Sequence, residues 1–380
     1  MPSQDSYHIA LLEPFFGGSH QRWAQSFSAH SQHQVDIFPL SGKHWKWRMH
    51  GGAISLSRAY LEQARSYDLI LATDMLDLTT FLALTRQDTH ALPVVLYFHE
   101  NQITYPWSQD DPDVDLARDY HYGFINFTSA IAADELWFNS QYHLNSFFEA
   151  LPRFLKAFPD KREGQRVFAL RKKARVMPLG LELPEPHTVN LSEKSPQGQP
   201  PLIVWNHRWE YDKAPTLFFE ALFEMTAAGI DFRLAVLGEQ YQNQPEIFEK
   251  ARHILDKQIV HWGYVETVEE YRHWLQTSDL LLVTSIHDFF GASVVEAMAH
   301  GVIPILPHRL AYPEHIPNKL HELYLYQSQT HMMELLKRQC TSPDRSDLPQ
   351  IIQHLQSYHW PNLIQTYDRR LSQLVVNRLS

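Results

Sequence analysis

The stretch from Ser285 to Pro304, SIHDFFGASVVEAMAHGVIP, most constrains what this chain can fold into. An apolar run, Asp279 to Thr284, ends in a polar turn, and the aromatic pair Phe289 and Phe290 leads into Gly291. Helix formers then dominate Ala292 to His300, Gly301 stands where a helix stop is wanted, and Val302 to Leu306 resumes an apolar strand. Strand, turn, helix and strand in this order put unpaired amides and the positive end of a helix dipole at the carboxyl edge of a parallel sheet, where α/β folds bind anions. The expected ligand is a phosphate, met by the amides near Gly291, Ala292 and Ser293. Asp288 and Glu296 lie eight positions apart on either side of the turn. Two carboxylates so spaced can hold hydroxyls on either side of a diphosphate; taken singly, each is ordinarily a helix cap or a solvated helix residue.

The same arrangement opens the chain. Tyr7 to Leu12 is an apolar run, and Glu13 to His20, EPFFGGSH, places Gly17, Gly18 and Ser19 directly after it. A glycine turn between strand and helix brings backbone amides to a phosphate, although glycines also serve turns for conformational reasons alone. Gln34 to Phe38, Asp68 to Ala72, Pro93 to Phe98 and Glu135 to Phe138 read as further strands. Polar residues follow two of them: Asp74 after one, and His99, Glu100, Asn101 and Gln102 after another, positions that face a ligand crevice in open α/β sheets. A helix is expected from Arg118, with Tyr122 in its first turns. The five aspartates between Asp110 and Asp119 read as a solvated loop rather than a metal site.

Two segments are basic. Ser41 to Leu61 holds Lys43, Lys46, Arg48 and Arg58 with Trp45 and Trp47 and no acid, a pattern that pairs with phosphates and stacks on bases; a solvated loop with inward tryptophans is the plain alternative. Arg153 to Arg175 has nine Lys or Arg against two acids, and is either an exposed helix surface or a second RNA-contacting candidate. The net charge of −10 argues against a generally basic coat but leaves room for a local patch.

Pro184 to Pro201 reads as a linker, and the second half begins with the strand Leu202 to Asn206 followed by His207, Arg208 and Lys213. Two cations there can stabilise a leaving diphosphate without a metal. Phe232 to Gly238 and Ile259 to Gly263 add strands, and Trp360 to Asn377 reads as a closing helix. At 380 residues the chain has room for two domains, taken as 1–183 and 201–358 around a linker at 184–200, with 359–380 closing the fold. No apolar run spans a bilayer and Met1 to Ser6 is too polar for a signal peptide, so no membrane contact and a cytoplasmic location are expected. The single cysteine, Cys340, rules out an intrachain disulfide and a cysteine-rich zinc site.

The Asp288 to Glu296 spacing resembles the Glu-x7-Glu motif of family 4 retaining glycosyltransferases, with Asp in the first position. EPFFGGSH, KHWKWR (Lys43 to Arg48), YFHENQITYP (Tyr97 to Pro106), RDYHYG (Arg118 to Gly123) and FNS (Phe138 to Ser140) together resemble the tRNA-queuosine α-mannosyltransferase family. The resemblance implies an α/β GT-B fold: two Rossmann-like domains whose parallel sheets face a central cleft. It implies transfer of mannose from the nucleotide sugar GDP-mannose to queuosine in the anticodon of tRNA(Asp), with retention and no required cofactor or metal. Arg208 and Lys213 would clamp the diphosphate, Asp288 face the sugar and His99 position it. Glu296 would hold the ribose, with Gly17, Gly18, Ser19, His207, Tyr264, Val265, Phe290, Gly291, Ala292 and Ser293 around the donor. Asp74, Glu100, Asn101, Gln102, Arg118, Tyr122, Lys43, Lys46 and Arg48 fall on the acceptor side. The alternatives are a family 4 enzyme with another donor and a lipid-linked or small-molecule acceptor, and a catalytically weak nucleotide-sugar-dependent RNA-binding protein.

Overall fold

Twelve strands form among the described residues; the central ones are apolar runs, as strands buried on both faces of a parallel sheet must be, and most edge strands are more mixed. The computed structural model describes residues 6–107, 120–191, 194, 198–238 and 245–379. The chain divides into two compact units, 1–182 with 358–380, and 183–357. The first contains β1 (His8–Phe16), β2 (Gln34–Ser41), β3 (Leu69–Thr73), β4 (Val94–Phe98), β5 (Glu135–Phe138) and β6 (Ala174–Val176). The second contains β7 (Leu202–Trp205), β8 (Arg233–Val236), β9 (Ile259–Trp262), β10 (Leu280–Leu282), β11 (Ile303–Pro307) and β12 (Leu325–Tyr326).

All pairings are parallel, in the orders β2-β1-β3-β4-β5-β6 and β12-β11-β10-β7-β8-β9. Both are doubly wound, and the direction of winding reverses between β1 and β3 in one sheet and between β7 and β10 in the other. A crevice opens at such a reversal beyond the carboxyl ends of the strands. Register is fixed at the opposite edge by a repeated device. Asp68, Asp134 and Asp279 each stand just before a strand and accept the first amide of a neighbouring one: His8 at 2.8 Å, Val94 at 2.9 Å and Leu202 at 2.7 Å.

The cores are aromatic. Phe98, Phe138 and Phe147 pack together in the first unit, and Trp205, Trp209, Phe218, Phe219 and Phe248 in the second. The helix Trp360–Leu379 belongs to the first unit, where Tyr367 donates to the Pro178 carbonyl at 2.7 Å and Arg370 pairs with the buried Glu135. The segment read as a linker is part of the second unit, tied down by Lys194, which donates to the carbonyls of Leu275 and Ser278. β1 runs four residues past the expected end, to Phe16. The segment after β2 is a helix, Trp45–Leu61, not a loop: Gly52 lets it approach Pro14 and Leu40, and this packing overrides the low propensity of adjacent glycines. The acidic run from Asp110 to Asp119, with Arg118, lies outside the described residues.

A Cβ added at Gly180 would fall 2.3 Å from the fully buried indole of Trp360. Gly180→Ala is therefore expected to cost the first unit about 2 kcal/mol by overpacking. Urea unfolding checks this, and an unchanged midpoint would refute it.

Candidate functional site

In the second unit, β7 ends at Trp205 and the chain turns through Asn206, His207 and Arg208 into a short 3-10 turn, Tyr211–Lys213. The turn carbonyls are taken up from β10's side: Thr284 Oγ1 lies within bonding reach of the carbonyls of Lys213 (2.9 Å) and Ala214 (3.1 Å), and the Ile286 amide donates to Asp212 O at 2.8 Å. Ala214 sits at φ 47°, a left-handed conformation that a non-glycine residue adopts only under constraint. It aims Lys213 inward and starts the helix Pro215–Ala227.

The buried Lys213 ammonium donates to the His287 carbonyl and to Asp288 Oδ1, both at 3.0 Å, and has an ionic contact with Asp212 Oδ2 at 3.0 Å that lacks hydrogen-bond geometry. Tyr312 donates to Asp288 Oδ2 at 2.5 Å. Burial works against the Asp288 charge, but Lys213, with His207 and Tyr312, holds its carboxyl down at about 2. Burial likewise works against the Lys213 charge, and Asp288 and Asp212 overcome it, raising its pKa. His207 and His287 are pushed down to about 4 by burial, so both rings are neutral at pH 7.

The helix Ala292–Ala299 begins after Gly291, whose φ of 83° no side-chain-bearing residue adopts readily. Asn206 donates to the Ser293 carbonyl at 2.7 Å, and Ser293 Oγ lies 3.3 Å from His207 Nδ1. Tyr271 donates to Glu296 Oε2 at 3.1 Å, and its hydroxyl lies 3.2 Å from Asn206 Nδ2. His207, Lys213, Asp288, Ser293 and Glu296 thus converge at the β7/β10 reversal, although Lys213 and Asp288 are 75 positions apart in sequence. Arg208 pairs with Glu210 at 3.0 Å and is about half exposed. Val265 and the Phe290 side chain are buried, the Phe290 carbonyl accepts from His315, and Tyr264 is exposed.

In the first unit the cluster gathers at the ends of β1, β3 and β4. Glu13, fully buried, accepts the Phe15 amide and lies 3.2 Å from His20 Nδ1. The His20 and His99 rings are 4.2 Å apart, with Trp23 edge-on to His99. Burial works against protonation of His20, but Glu13 and the neighbouring acids raise it to about 9; burial and the His20 charge push His99 well below its ordinary value. An imidazolium therefore lies against a neutral imidazole whose buried Nε2 has no hydrogen-bond partner among the described residues. Asp74 accepts the His99 amide at 2.8 Å, and burial followed by Glu100 raises its pKa. Glu13, His20 and His99 offer three ligand atoms within 4.8 Å of one another, but a metal ion there would have to displace the His20 proton.

Gly17 precedes the helix Gly18–His30 and meets Gly42 across the β1 and β2 loops, where either Cβ would crowd the other backbone; Gly18, at φ 52°, and Ser19 are exposed. Asn101 spends its side chain on its own turn, accepting the amides of Ile103 and Thr104, while Gln102 donates to Glu100 at 2.7 Å. Tyr122 packs against Trp45, Lys46 lies over Trp45 and Trp107, Arg48 donates to the Ser41 carbonyl, and Lys43 is exposed. His20, Gly42, Asp212 and Tyr312 are site neighbours that the sequence did not single out. A Glu and a His seven positions apart across a glycine turn was the available signal for His20; nothing local announces Tyr312.

Residues 8–181 match the family described as tRNA-queuosine alpha-mannosyltransferase N-terminal, and 189–337 match glycosyl transferases group 1. The chain is 33% identical over 347 residues to the tRNA-queuosine alpha-mannosyltransferase of Drosophila melanogaster, covering 88% of each. In fold it is similar to sucrose-phosphate synthase from Thermosynechococcus elongatus (TM-score 0.70, 13% identity, 98% of this chain and 100% of that one). It is also similar to the lipopolysaccharide outer core galactosyltransferase WaaB (TM-score 0.61, 13% identity, 96% and 99%). The GT-B glycosyltransferase fold is thereby established.

Two opposite pH slopes are expected. An unfolded histidine takes up a proton below pH about 6.5, whereas folded His207, His287 and His315 resist until about 4. Stability is therefore lost as pH falls through that window. His20, raised to about 9, contributes fully below its unfolded value and loses that contribution as pH rises through 9. Thermal unfolding between pH 4.5 and 9.5 checks both, and His20→Gln should flatten the alkaline slope.

Proposed function

Since the chain belongs to the tRNA-queuosine alpha-mannosyltransferase family, we propose that it transfers mannose from GDP-mannose to queuosine in the anticodon of tRNA(Asp), with retention at the anomeric carbon. The observation that carries this reading is the length of the match: identity is spread over 88% of both chains and takes in both units. The donor is assigned to the β7/β10 edge and the queuosine acceptor to the first unit.

Breaking the bond from the sugar C1 to the diphosphate sends its electron pair to the leaving oxygen, so the main demand is cationic stabilisation of that group. Of the ammonium's three N–H bonds, Lys213 commits two to His287 O and Asp288, which leaves one for a phosphate oxygen. Arg208, half exposed, supplies the second charge. Each Asp288 oxygen already accepts one hydrogen bond and has a lone pair left for a sugar hydroxyl. The acceptor hydroxyl forms the new bond to C1 on the face the diphosphate leaves, and its proton passes to that diphosphate. His99, neutral and fixed by its neighbours, positions the sugar. With charge compensation supplied by side chains, no metal is required, and transfer is expected to survive chelation.

The deciding experiment incubates the protein with queuosine-containing tRNA and GDP-mannose, UDP-glucose or UDP-galactose in turn, followed by nucleoside mass spectrometry. A hexose on queuosine with GDP-mannose alone is expected; addition with another donor, or none, overturns the assignment. Arg208→Ala should lower turnover by about 10²-fold with the fold kept, because its partner Glu210 is itself partly exposed. Lys213→Ala should lower it at least as far and also reduce stability, because it strands the buried Asp212 and the partly buried Asp288. Near-normal turnover in Arg208→Ala would remove the diphosphate role.

A further inference from the structure

We propose that the solvent face of the helix Trp45–Leu61 is the RNA-docking surface, with Trp47 the platform on which an unpaired base stacks; this rests on the tRNA reading above. Trp47 is 65% exposed, an unusual position for an indole in a folded protein. The ring is placed rather than loose. It rests against the helix at Gly51, one turn on, where a Cβ would come within 2.7 Å of its Cε2 and Cζ2 atoms. A glycine inside a helix costs stability, and here it lets the indole lie low along the backbone with most of its surface in solvent.

The same face continues through His50, Ile54, Arg58 and Leu61, all exposed and spaced at helical intervals from Trp47. No acid occurs between Ser41 and Leu61 in a chain of net charge −10, and Lys43 and Arg48 lie beside the indole in sequence. A cationic strip interleaved with an exposed aromatic suits a phosphate backbone and a base plane. Because His50 and Arg58 interrupt the apolar side chains, the face offers no continuous apolar band to a bilayer.

The competing basic segment is partly tied up within the unit, while Arg153, Lys156 and Lys161 at its start are exposed, and it presents no exposed indole beside its cations. Arg175 pairs with Glu135, Arg166 with Glu163, Lys173 donates to the carbonyls of Ile131 and Ala133, Arg171 reaches Asn145, and Lys172 covers the exposed Phe168 ring.

The test measures binding of full-length wild type, Trp47→Ala, Trp47→Phe and Gly51→Ala to queuosine-containing tRNA at one fixed salt concentration, beside GDP binding and thermal stability. Trp47→Ala should weaken tRNA binding about tenfold with GDP binding unchanged, and Trp47→Phe should recover most of the loss, since a base stacks on either ring. Gly51→Ala should hold or raise the thermal midpoint while weakening tRNA binding, because the indole is pushed off its seat. Wild-type tRNA affinity in Trp47→Ala would overturn the docking face while leaving the tRNA reading in place. Absence of tRNA binding by the wild type would overturn both. Flotation with vesicles containing anionic lipid, lost in Trp47→Ala while tRNA binding persists, would reassign the face to a membrane.

Discussion

The second unit's site depends on keeping one ammonium charged out of water. Removing Lys213 from solvent is costly unless carboxylates and hydrogen bonds compensate it, and two acids from different loops do so: Asp212 after β7 and Asp288 after β10. This fixes the two loops to each other, and the constraint is visible in the left-handed Ala214 and in the Thr284 hydroxyl set under the turn. With two carboxylates around one ammonium, the trio carries net negative charge when empty. On the function proposed above, a diphosphate is met by Arg208 and the helix amides as well as by Lys213, while Asp288 stays available to neutral hydroxyls. The trio suits a ligand that joins an anion to a polyol.

The first unit solves a related problem differently. Around the end of β1 the buried Glu13 and His20 are paired in place, and burial together with the imidazolium beside it keeps the adjacent His99 neutral. Asp74 ties the loop after β3 to the loop after β4 through the His99 amide, so the position of His99 is set by backbone as well as by ring packing. A neutral imidazole held this rigidly presents direction rather than charge. That matches a positioning role better than a general base, whose protonation must change in turnover.

Ten of the twelve strands were legible to within a few residues because buried parallel strands leave apolar runs, whereas the short edge strands β6 and β12 carry too little pattern to mark them; the polar successors Asp74, His99, His207 and Asp288 could be placed at the sheet edge on that basis alone. What could not be read was each side chain's partner. Asn101 looked like a ligand-facing amide and is instead the acceptor of its own turn. Tyr312, whose hydroxyl completes Asp288, lies 24 positions beyond it with no local pattern to mark it. Gly42 reads as an ordinary turn glycine until Gly17 is found against it. The helix Trp45–Leu61 was hidden because Gly51 and Gly52 lower its propensity, and both are there for contacts: one seats Trp47 and the other admits Pro14.

Charge runs show the same limit most sharply. Counting cations ranks Arg153 to Arg175 above Ser41 to Leu61, nine against four. The structure narrows that lead, because six of the nine, Arg162, Arg166, Arg171, Lys172, Lys173 and Arg175, already hold a partner within the unit, and a cation so held has less to gain from a phosphate than one facing water. Lys173, half-buried against two carbonyls, is shifted downward by that burial and serves the fold. Ser41 to Leu61 achieves a positive surface by leaving acids out. In a protein that carries more acids than bases, the missing acids over a continuous stretch define a local surface more reliably than the number of cations within it.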